Sequence, residues 1–331
     1  MTAMIKEQTF RSSSQKNLII LSSSKSSFLA PTMAEAKRYA VVTGANKGIG
    51  FEVCRELASH GITVVMTARD EKRGLDALGK LKSSNGFSDD ILFFHQLDVA
   101  DSSSVASLAE FIKNQFGRLD ILVNNAGVSG VHVDADVEAI KAEVGESEEA
   151  RWDAVTKAMT QTYESALECL EINYYGAKRM VEAFIPLLQL SQSPTIVNVS
   201  SEAVKLLNLS EWAIRILNDV DNLTEERIDE VLNAFLKDFK EGTLEANGWP
   251  VLLSGYRVSK VAINAYTRLL AKKYRNIKVN CVCPGHGKTD SSFNIGTYTA
   301  EECARNVVMV ALLPDDGPSG LFFVRGKVSS F

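Results

Sequence analysis

Tyr256 and Lys260 stand four residues apart in the stretch Leu253-Ser254-Gly255-Tyr256-Arg257-Val258-Ser259-Lys260, at the head of an apolar-periodic run. On a helix, positions i and i+4 share a face and their side chains can meet. A phenol ordinarily ionises near pH ~10, too high for easy proton trade at neutrality. An ammonium beside it favours the phenolate and pulls that value down. The pair is therefore a proton donor with its tuner, or else two side chains on a half-exposed helix face, because Tyr-x-x-x-Lys often arises by chance. A second group of residues offers different chemistry. Gly44, Gly48 and Gly50 punctuate Thr43-Gly44-Ala45-Asn46-Lys47-Gly48-Ile49-Gly50. Glycines in a strand-to-helix turn let the backbone approach a pyrophosphate, and the helix N-terminus offers free N–H groups. The spacing is Gly-x-x-x-Gly-x-Gly and differs from the commoner Gly-x-Gly-x-x-Gly fingerprint.

Charge at the end of the next strand selects the dinucleotide. An acid there holds a free ribose 2′-hydroxyl, whereas a 2′-phosphate prefers arginine. Arg69 follows Val64-Val65-Met66-Thr67-Ala68, Arg73 lies close behind, and Lys47 sits inside the glycine turn. Three cations around one phosphate predict NADP(H), that is NADPH or NADP+. The alternative is that Arg73 and Lys72 only solvate a helix start. Asp70 reads as a helix cap and not as a ribose ligand.

These residues need a scaffold. From Arg38 onward short apolar strands alternate with helical runs: strands at Tyr39–Val42, Ile62–Ala68, Ile91–Leu97 and Leu119–Val123, helices over Phe51–His60, Lys72–Lys82 and Ser103–Phe116. That rhythm predicts an α/β fold, a Rossmann-type doubly wound parallel sheet with helices on both faces. Two mainly helical inserts interrupt it, at about 130–165 and 204–250. In the first, Asp134 to Glu149 is acidic with Lys141 as its one base. Trp152, Val155, Met159, Tyr163, Ala166 and Leu170 then follow near helical period. In the second, Thr224 is an N-cap, Ile228, Val231, Leu232, Phe235, Leu236 and Phe239 line one face, and Gly242 ends the helix. That stripe is expected to pack on the main domain.

The bulk composition narrows the class. Of 331 residues, 45% are hydrophobic and 23% charged, with net charge −5. This is ordinary globular composition and gives no reason to expect nucleic acid or an anionic membrane surface as partner. Cys54, Cys169, Cys281, Cys283 and Cys303 are odd in number, and most fall in apolar segments, so reduced buried thiols are expected and no metal site. Apolar runs are too short to span a bilayer. Residues 1–36 read as a flexible N-terminal extension ahead of a single domain over 37–331. The first 33 carry eight serines, four bases and one acid. That bias suits a plastid transit peptide. The alternative is a disordered extension upstream of Met33, with the protein cytoplasmic, and this is the reading favoured.

Taken together the sequence resembles the short-chain dehydrogenase/reductase family. The resemblance rests on Thr43 to Gly50, Asp98-Val99, Asn124-Asn125-Ala126-Gly127, Asn198-Val199-Ser200-Ser201, Tyr256-x-x-x-Lys260, and Pro284-Gly285 with Thr289, in order from about Arg38 to the end. It is closer still to the plant menthone reductase (neomenthol dehydrogenase) and salutaridine reductase branch, through Asn46-Lys47-Gly48, the acidic insert before Asn173, the insert separating Ser201 from Tyr256, Asn247-Gly248-Trp249-Pro250 and Pro314 to Gly320.

The resemblance implies a set of roles. Tyr256 is the general acid for ketone reduction. Lys260 tunes the tyrosine and binds the nicotinamide ribose. Ser201, the second serine of its pair, is a further donor to the oxyanion. Asn173 holds a water that relays protons to Lys260, unless it is a plain polar helix residue. Gly44, Asn46, Lys47, Gly48, Ile49, Gly50, Arg69, Arg73, Asp98, Val99, Asn125, Lys260, Pro284, Gly285 and Thr289 bind cofactor. Asp98 and Val99 flank the adenine, Asn125 the ribose, and the last three shape the nicotinamide pocket. The insert covers a surface used elsewhere for assembly, implying a monomer. One departure is His286-Gly287, where relatives carry bulkier apolar residues: the glycine is expected to loosen the loop and the histidine to face solvent. The implied function is NADPH-dependent reduction of a hydrophobic ketone, a monoterpenoid such as menthone. Alternatives are an alkaloid ketone of the salutaridine type, or a catalytically weak NADPH-binding regulatory or defence protein. A relative in this branch that reduces a carbon–carbon double bond lacks the tyrosine, which Tyr256 supplies here.

Overall fold

The computed structural model describes residues 37–145, 147–206 and 209–331. The extension read over residues 1–36 lies outside them. The chain first lays down β1 (Tyr39–Val42), α1 (Gly48–Ser59), β2 (Thr63–Ala68), α2 (Glu71–Asn85), β3 (Leu92–Gln96), α3 (Ser102–Phe116) and β4 (Ile121–Asn124). All six residues of β2 and all four of β4 are buried. That is why these strands read as continuous apolar runs: helices cover both faces of a parallel sheet. Asp70 caps α2 by accepting from the Arg73 N–H at 2.9 Å, as its position after β2 predicts.

The first insert then leaves the sheet. It comprises β5 (His132–Val133), α4 (Val137–Glu143), α5 (Glu148–Lys157) and β6 (Met159–Thr160), and leads into α6 (Tyr163–Leu170). The helical period from Trp152 to Leu170 is not one helix. Met159 pairs with Val133 and Thr160 with His132 in an antiparallel bridge that breaks the run. Thr162 then restarts it, its side chain and that of Ser165 capping each other's backbone N–H. After α6 a wide π-helical turn, Glu171–Gly176, leads into α7 (Ala177–Leu188) and the fully buried β7 (Thr195–Val199).

The second insert carries α8 (Glu211–Asn218) and α9 (Glu225–Glu241). Thr224 accepts from the Arg227 N–H, and Gly242 closes α9 at φ 71°, as read from the sequence. Ile228, Val231, Leu232 and Phe235 bury their stripe in the same core as α7 and α10 (Ser254–Lys273). Two polar contacts fasten α9 further: Tyr175 donates to Asp229 at 3.0 Å and Lys178 pairs with Glu225 at 2.9 Å. The chain ends with β8 (Lys278–Cys283), α11 (Ala300–Ala311), β9 (Phe322–Val324) and β10 (Lys327–Ser329).

The main sheet runs β3-β2-β1-β4-β7-β8-β9-β10, parallel except for the last pair. Residues of α1, α2 and α11 build the core on one face, and those of α3, α7 and α10 the core on the other. The strand order reverses between β1 and β4, and ligands of such sheets bind at the carboxyl ends of strands beside that point. All five cysteines are free and buried. Among the described residues no helix is long and apolar enough to cross a membrane.

Candidate active site

The glycine turn follows β1 at the reversal point. Gly44 and Gly48 have φ of 66° and 58°, a region where a side chain is strained. Gly50 has ordinary φ but no room. A Cβ there would lie 2.4 Å from Asn125 Nδ2 and 2.5 Å from the Gly44 carbonyl oxygen. Gly50→Ala is expected to destabilise the fold by about 1–3 kcal/mol through overpacking, read as a lower melting temperature by calorimetry.

The loop after β4 braces this turn. Thr43 Oγ1 accepts from the Asn125 and Ala126 N–H groups at 2.9 Å each, and Asn125 Nδ2 donates to the Thr43 and Gly44 carbonyls. Asn125, read from the resemblance as a ribose neighbour, has its amide committed to the turn's backbone. Lys47, at the N-cap of α1, pairs with Asp290 at 2.5 Å, so this cation has a carboxylate of its own. Arg73 lies 3.7 Å from Asp70. Arg69 is exposed at the end of β2, and among the described residues its guanidinium has no hydrogen bond or ion pair. Asp98 accepts from the Ala100 N–H at 2.9 Å, holding the turn after β3, and Val99 is buried against Gly176.

Tyr256 and Lys260 do lie on a helix, in the first two turns of α10. That helix begins awkwardly. Leu253 takes the N-cap in the left-handed region at φ 53° and supplies no side-chain cap. Gln161 of the first insert substitutes: its Oε1 accepts from Ser254 Oγ at 2.5 Å and from the Gly255 N–H at 3.5 Å. Gly255 lets α6 approach closely, since a Cβ there would be 2.8 Å from Ala166 Cα.

A buried polar chain then ties α10 to the sheet. Asn124 Nδ2 donates to Asn198 Oδ1 at 2.8 Å, Asn198 Nδ2 to Thr267 Oγ1 at 2.9 Å, and Ser200 Oγ to Asn264 Oδ1 at 2.6 Å. Ser200 is therefore structural, and Ser201 is the serine left to meet the tyrosine. Its hydroxyl accepts from the Ala203 N–H at 3.1 Å and is close enough to Tyr256 to favour the phenolate. Lys260 Nζ donates to the Val199 carbonyl at 2.7 Å and stands 5.6 Å from the Tyr256 ring centroid. Sequence reading missed Gln161, Asn264 and Thr267 and gave Asn198, quoted within its motif, no role of its own; their partners are 64 to 93 residues away.

Asn173 sits in the wide turn after α6. It accepts from the Val128 N–H at 2.8 Å and donates to the Val128 carbonyl at 3.0 Å and Ser259 Oγ at 2.9 Å. A Cβ on Gly127 would stand 3.1 Å from Asn173 Oδ1 and 3.7 Å from Lys260 Nζ, so both groups face the same bare backbone. Ser259 in turn donates to the Tyr256 carbonyl at 2.7 Å. The π-helical turn thus aims Asn173 at the lysine's end of the cleft.

Electrostatics departs from the simple expectation. Burial pushes the Tyr256 phenol up to about 12, against the downward pull of the nearby Ser201 hydroxyl. The Lys260 ammonium, turned to the Val199 carbonyl, does not offset this. Burial also pulls Lys260 down to about 8, with the thiols of Cys169 and Cys283 acting the other way. At neutral pH the phenol holds its proton, as an acid must.

Loop residues after β8 close the site. Asn306 Nδ2 holds the Pro284 carbonyl at 2.9 Å, and Gly285 takes φ 106° with Tyr298 packed where a side chain would begin. Thr289 Cγ2 lies 3.5 Å from the position of a Cβ on Gly48, joining this loop to the glycine turn. Two expectations fail here. His286 does not simply face solvent: its Nδ1 is 2.7 Å from Glu148 Oε1, and its ring stands edge-on to Trp152 at 5.1 Å. Gly287 does not loosen the loop. Lys288 donates to the Tyr298 carbonyl at 2.7 Å, Tyr298 to that of His286 at 3.1 Å, and Ser292 Oγ to that of Gly287 at 2.6 Å. A Cβ at 287 would come 2.9 Å from Cys303 Sγ, so packing itself demands glycine.

Residues 38–211, which hold the glycine turn at the sheet's reversal point and Ser201, match one family model, short chain dehydrogenase. The chain belongs to the short-chain dehydrogenase family. It is an oxidoreductase of that family with similar plant reductases. It is 58% identical over 299 residues to (+)-neomenthol dehydrogenase of Arabidopsis thaliana, covering 90% of this chain and 99% of the other. It is 53% identical over 309 residues to (−)-isopiperitenone reductase of Mentha piperita, covering 89% and 98%. Among solved structures it resembles salutaridine reductase from Papaver somniferum, with TM-score 0.82 and 55% identity over 87% of this chain and 99% of that one. The family match ends at residue 211, so α9, α10 and the loop after β8 lie beyond it; the relatives reach across them.

Proposed function

We propose that this short-chain dehydrogenase reduces a hydrophobic ketone, a monoterpenoid such as menthone, to its alcohol, with NADPH supplying the hydride when bound. The observation that carries this is the placement of Lys260 Nζ 5.6 Å from the Tyr256 ring, held there by the Val199 carbonyl, with the Ser201 hydroxyl near the phenol. Tyr256, protonated at neutral pH, donates its proton to the carbonyl oxygen. Ser201 donates a hydrogen bond to the same oxygen as negative charge grows on it, and such pre-placed donors lower a barrier by about 3–4 kcal/mol. Lys260 balances the phenolate that Tyr256 becomes, and Asn173, facing the same turn, positions the water that returns a proton to it.

The bare turn at Gly44, Gly48 and Gly50 and the free N–H groups of α1 fit a pyrophosphate. Arg69, without a partner among the described residues, fits a 2′-phosphate, with Arg73 beside it; Asp98, Val99, Pro284, Gly285 and Thr289 line the rest of the dinucleotide's path. Arg69→Ala with Arg73→Ala is expected to cut the preference for NADPH over NADH by about 10–100-fold, the scale of hydrogen bonds to a charged group. Paired titrations of the two dinucleotides check it.

A recess of about 150 Å³ opens beside the start of α10, lined by Met159, Phe239, Leu244 and Leu253 and by the polar Thr160 and Gln161. The name and likeness of salutaridine reductase support an alkaloid ketone as second reading. NADPH consumption with menthone and with a bulkier alkaloid ketone, products separated by chromatography, tests both. Failure of every carbonyl would leave the NADPH-binding reading. The proposal includes a monomer, since α9 buries its own stripe, and a cytoplasmic location, which the five free cysteines support.

A further inference from the structure

His286 follows Pro284-Gly285 directly, yet its side chain turns away from the sheet to meet the first insert. Its Nδ1 lies 2.7 Å from Glu148 Oε1 on α5, and Trp152, one turn further along α5, sets its ring edge-on at 5.1 Å. The imidazole is thus gripped by a carboxylate and an aromatic face from one helix. A second tie runs in parallel: Lys141 of α4, its side chain 11% exposed, donates from Nζ to the Phe293 carbonyl at 3.1 Å. The acidic insert is therefore fastened to the 286–293 loop at two points. The other side of that loop rests on the glycine turn. Thr289 abuts Gly48, a Cβ on Gly287 would lie 3.7 Å from Ile49 Cδ1, and Asp290 pairs with Lys47. Insert, loop and glycine turn form one mechanical series. The loop is stiff, cross-bonded to Tyr298, and so passes on a displacement at His286 without absorbing it.

We infer that Glu148, Trp152 and His286 are positioning residues: they latch the first insert onto the loop after β8 and thereby set how fast the bound dinucleotide leaves. The inference rests on the NADP(H) reading above. When the latch holds, Thr289 and Asp290 stay seated on the glycine turn and the dinucleotide is enclosed. When it opens, the insert no longer holds the loop down, Thr289 and Asp290 come away from the glycine turn and the exit widens. Where release limits turnover, a broken latch raises kcat together with the KM for NADPH.

The test uses full-length protein with Glu148→Ala, His286→Ala, the double variant and His286→Asn, which keeps a donor near the Nδ1 position. Two readouts are taken: trypsin cleavage within the insert at Lys141, Arg151 and Lys157, and NADPH release by stopped-flow fluorescence. Each alanine variant is expected to speed both by about fivefold, the reach of one partly exposed hydrogen bond. The double variant is no faster than either single, because both remove the same contact. His286→Asn recovers most of the wild-type release rate. Unchanged release in the single variants, or effects that add in the double, would overturn the latch. A wild-type protein that fails to bind NADPH sinks the cofactor reading, whereas faster cleavage with unaltered release sinks the latch alone.

Discussion

Tyr256→Phe lowers the turnover of menthone with NADPH by about 10³-fold, within the range that a positioned general acid contributes. NADPH binding stays close to wild type. The substitution keeps the ring and its packing at the head of α10 and removes only the hydroxyl. Proton donation to the carbonyl oxygen then has no group with both the reach and the proton. Single-turnover kinetics with NADPH titrated separately checks the result, because binding and chemistry must part company. Turnover retained in this variant would show that another acid serves the carbonyl. A biological effect that survives without turnover would favour the binding-protein reading.

Lys260→Met should trade activity for stability. Turnover falls by about 10²–10³-fold, since the phenolate loses its counter-charge. The fold, however, gains. Burial holds the Lys260 ammonium at about 8 against 10.5 for the ordinary side chain. A depressed lysine means that the folded state binds its proton less tightly than the unfolded chain. Below about pH 8 the group is charged in both states and the full penalty of burying it is present. Between about 8 and 10.5 the unfolded chain holds more protons, so stability rises with pH as the penalty is relieved.

Methionine removes the penalty at neutral pH, a gain of about 3 kcal/mol from the shift. Leaving the Val199 carbonyl unpaired takes back about 1–2 kcal/mol. The net expectation is a melting temperature a few degrees above wild type at pH 7. That advantage shrinks toward pH 10. Calorimetry at the two pH values, without added dinucleotide, decides it. A variant less stable at both would mean that the Val199 bond outweighs the buried charge. The same titration bears on catalysis: kcat/KM for reduction should fall as pH rises through about 8, because neutral Lys260 no longer supports the phenolate.

Much of this site can be read along the chain, because its signals are local. The alternation of buried strands with helices needs only a few residues to declare itself, and it led to the parallel sheet without any long-range information. Gly44, Gly48 and Gly50 mark a turn within one strand-to-helix step. Tyr256 and Lys260 meet because helical geometry puts i and i+4 together, wherever the helix packs. Thr224 and Gly242 bound α9 at both ends for the same reason.

Other features were decided only by packing. Gln161 caps the helix that carries Tyr256 from 93 residues away, and the need for it arises from a left-handed Leu253 that no pattern announces. Met159 keeps helical period yet pairs as a strand, since Val133 is brought alongside it. His286 looks like a loop histidine until the insert folds back and presents Glu148 and Trp152. The spacing of Tyr256 and Lys260 suggests a lowered phenol; burial raises it instead, and burial belongs to the neighbours that surround a group. Residue type and spacing determined which chemistry this chain can attempt. The protonation of its two principal groups, the capping of their helix and the anchoring of the loop beside them came from contacts between distant segments, which exist only once the sheet has closed its layers.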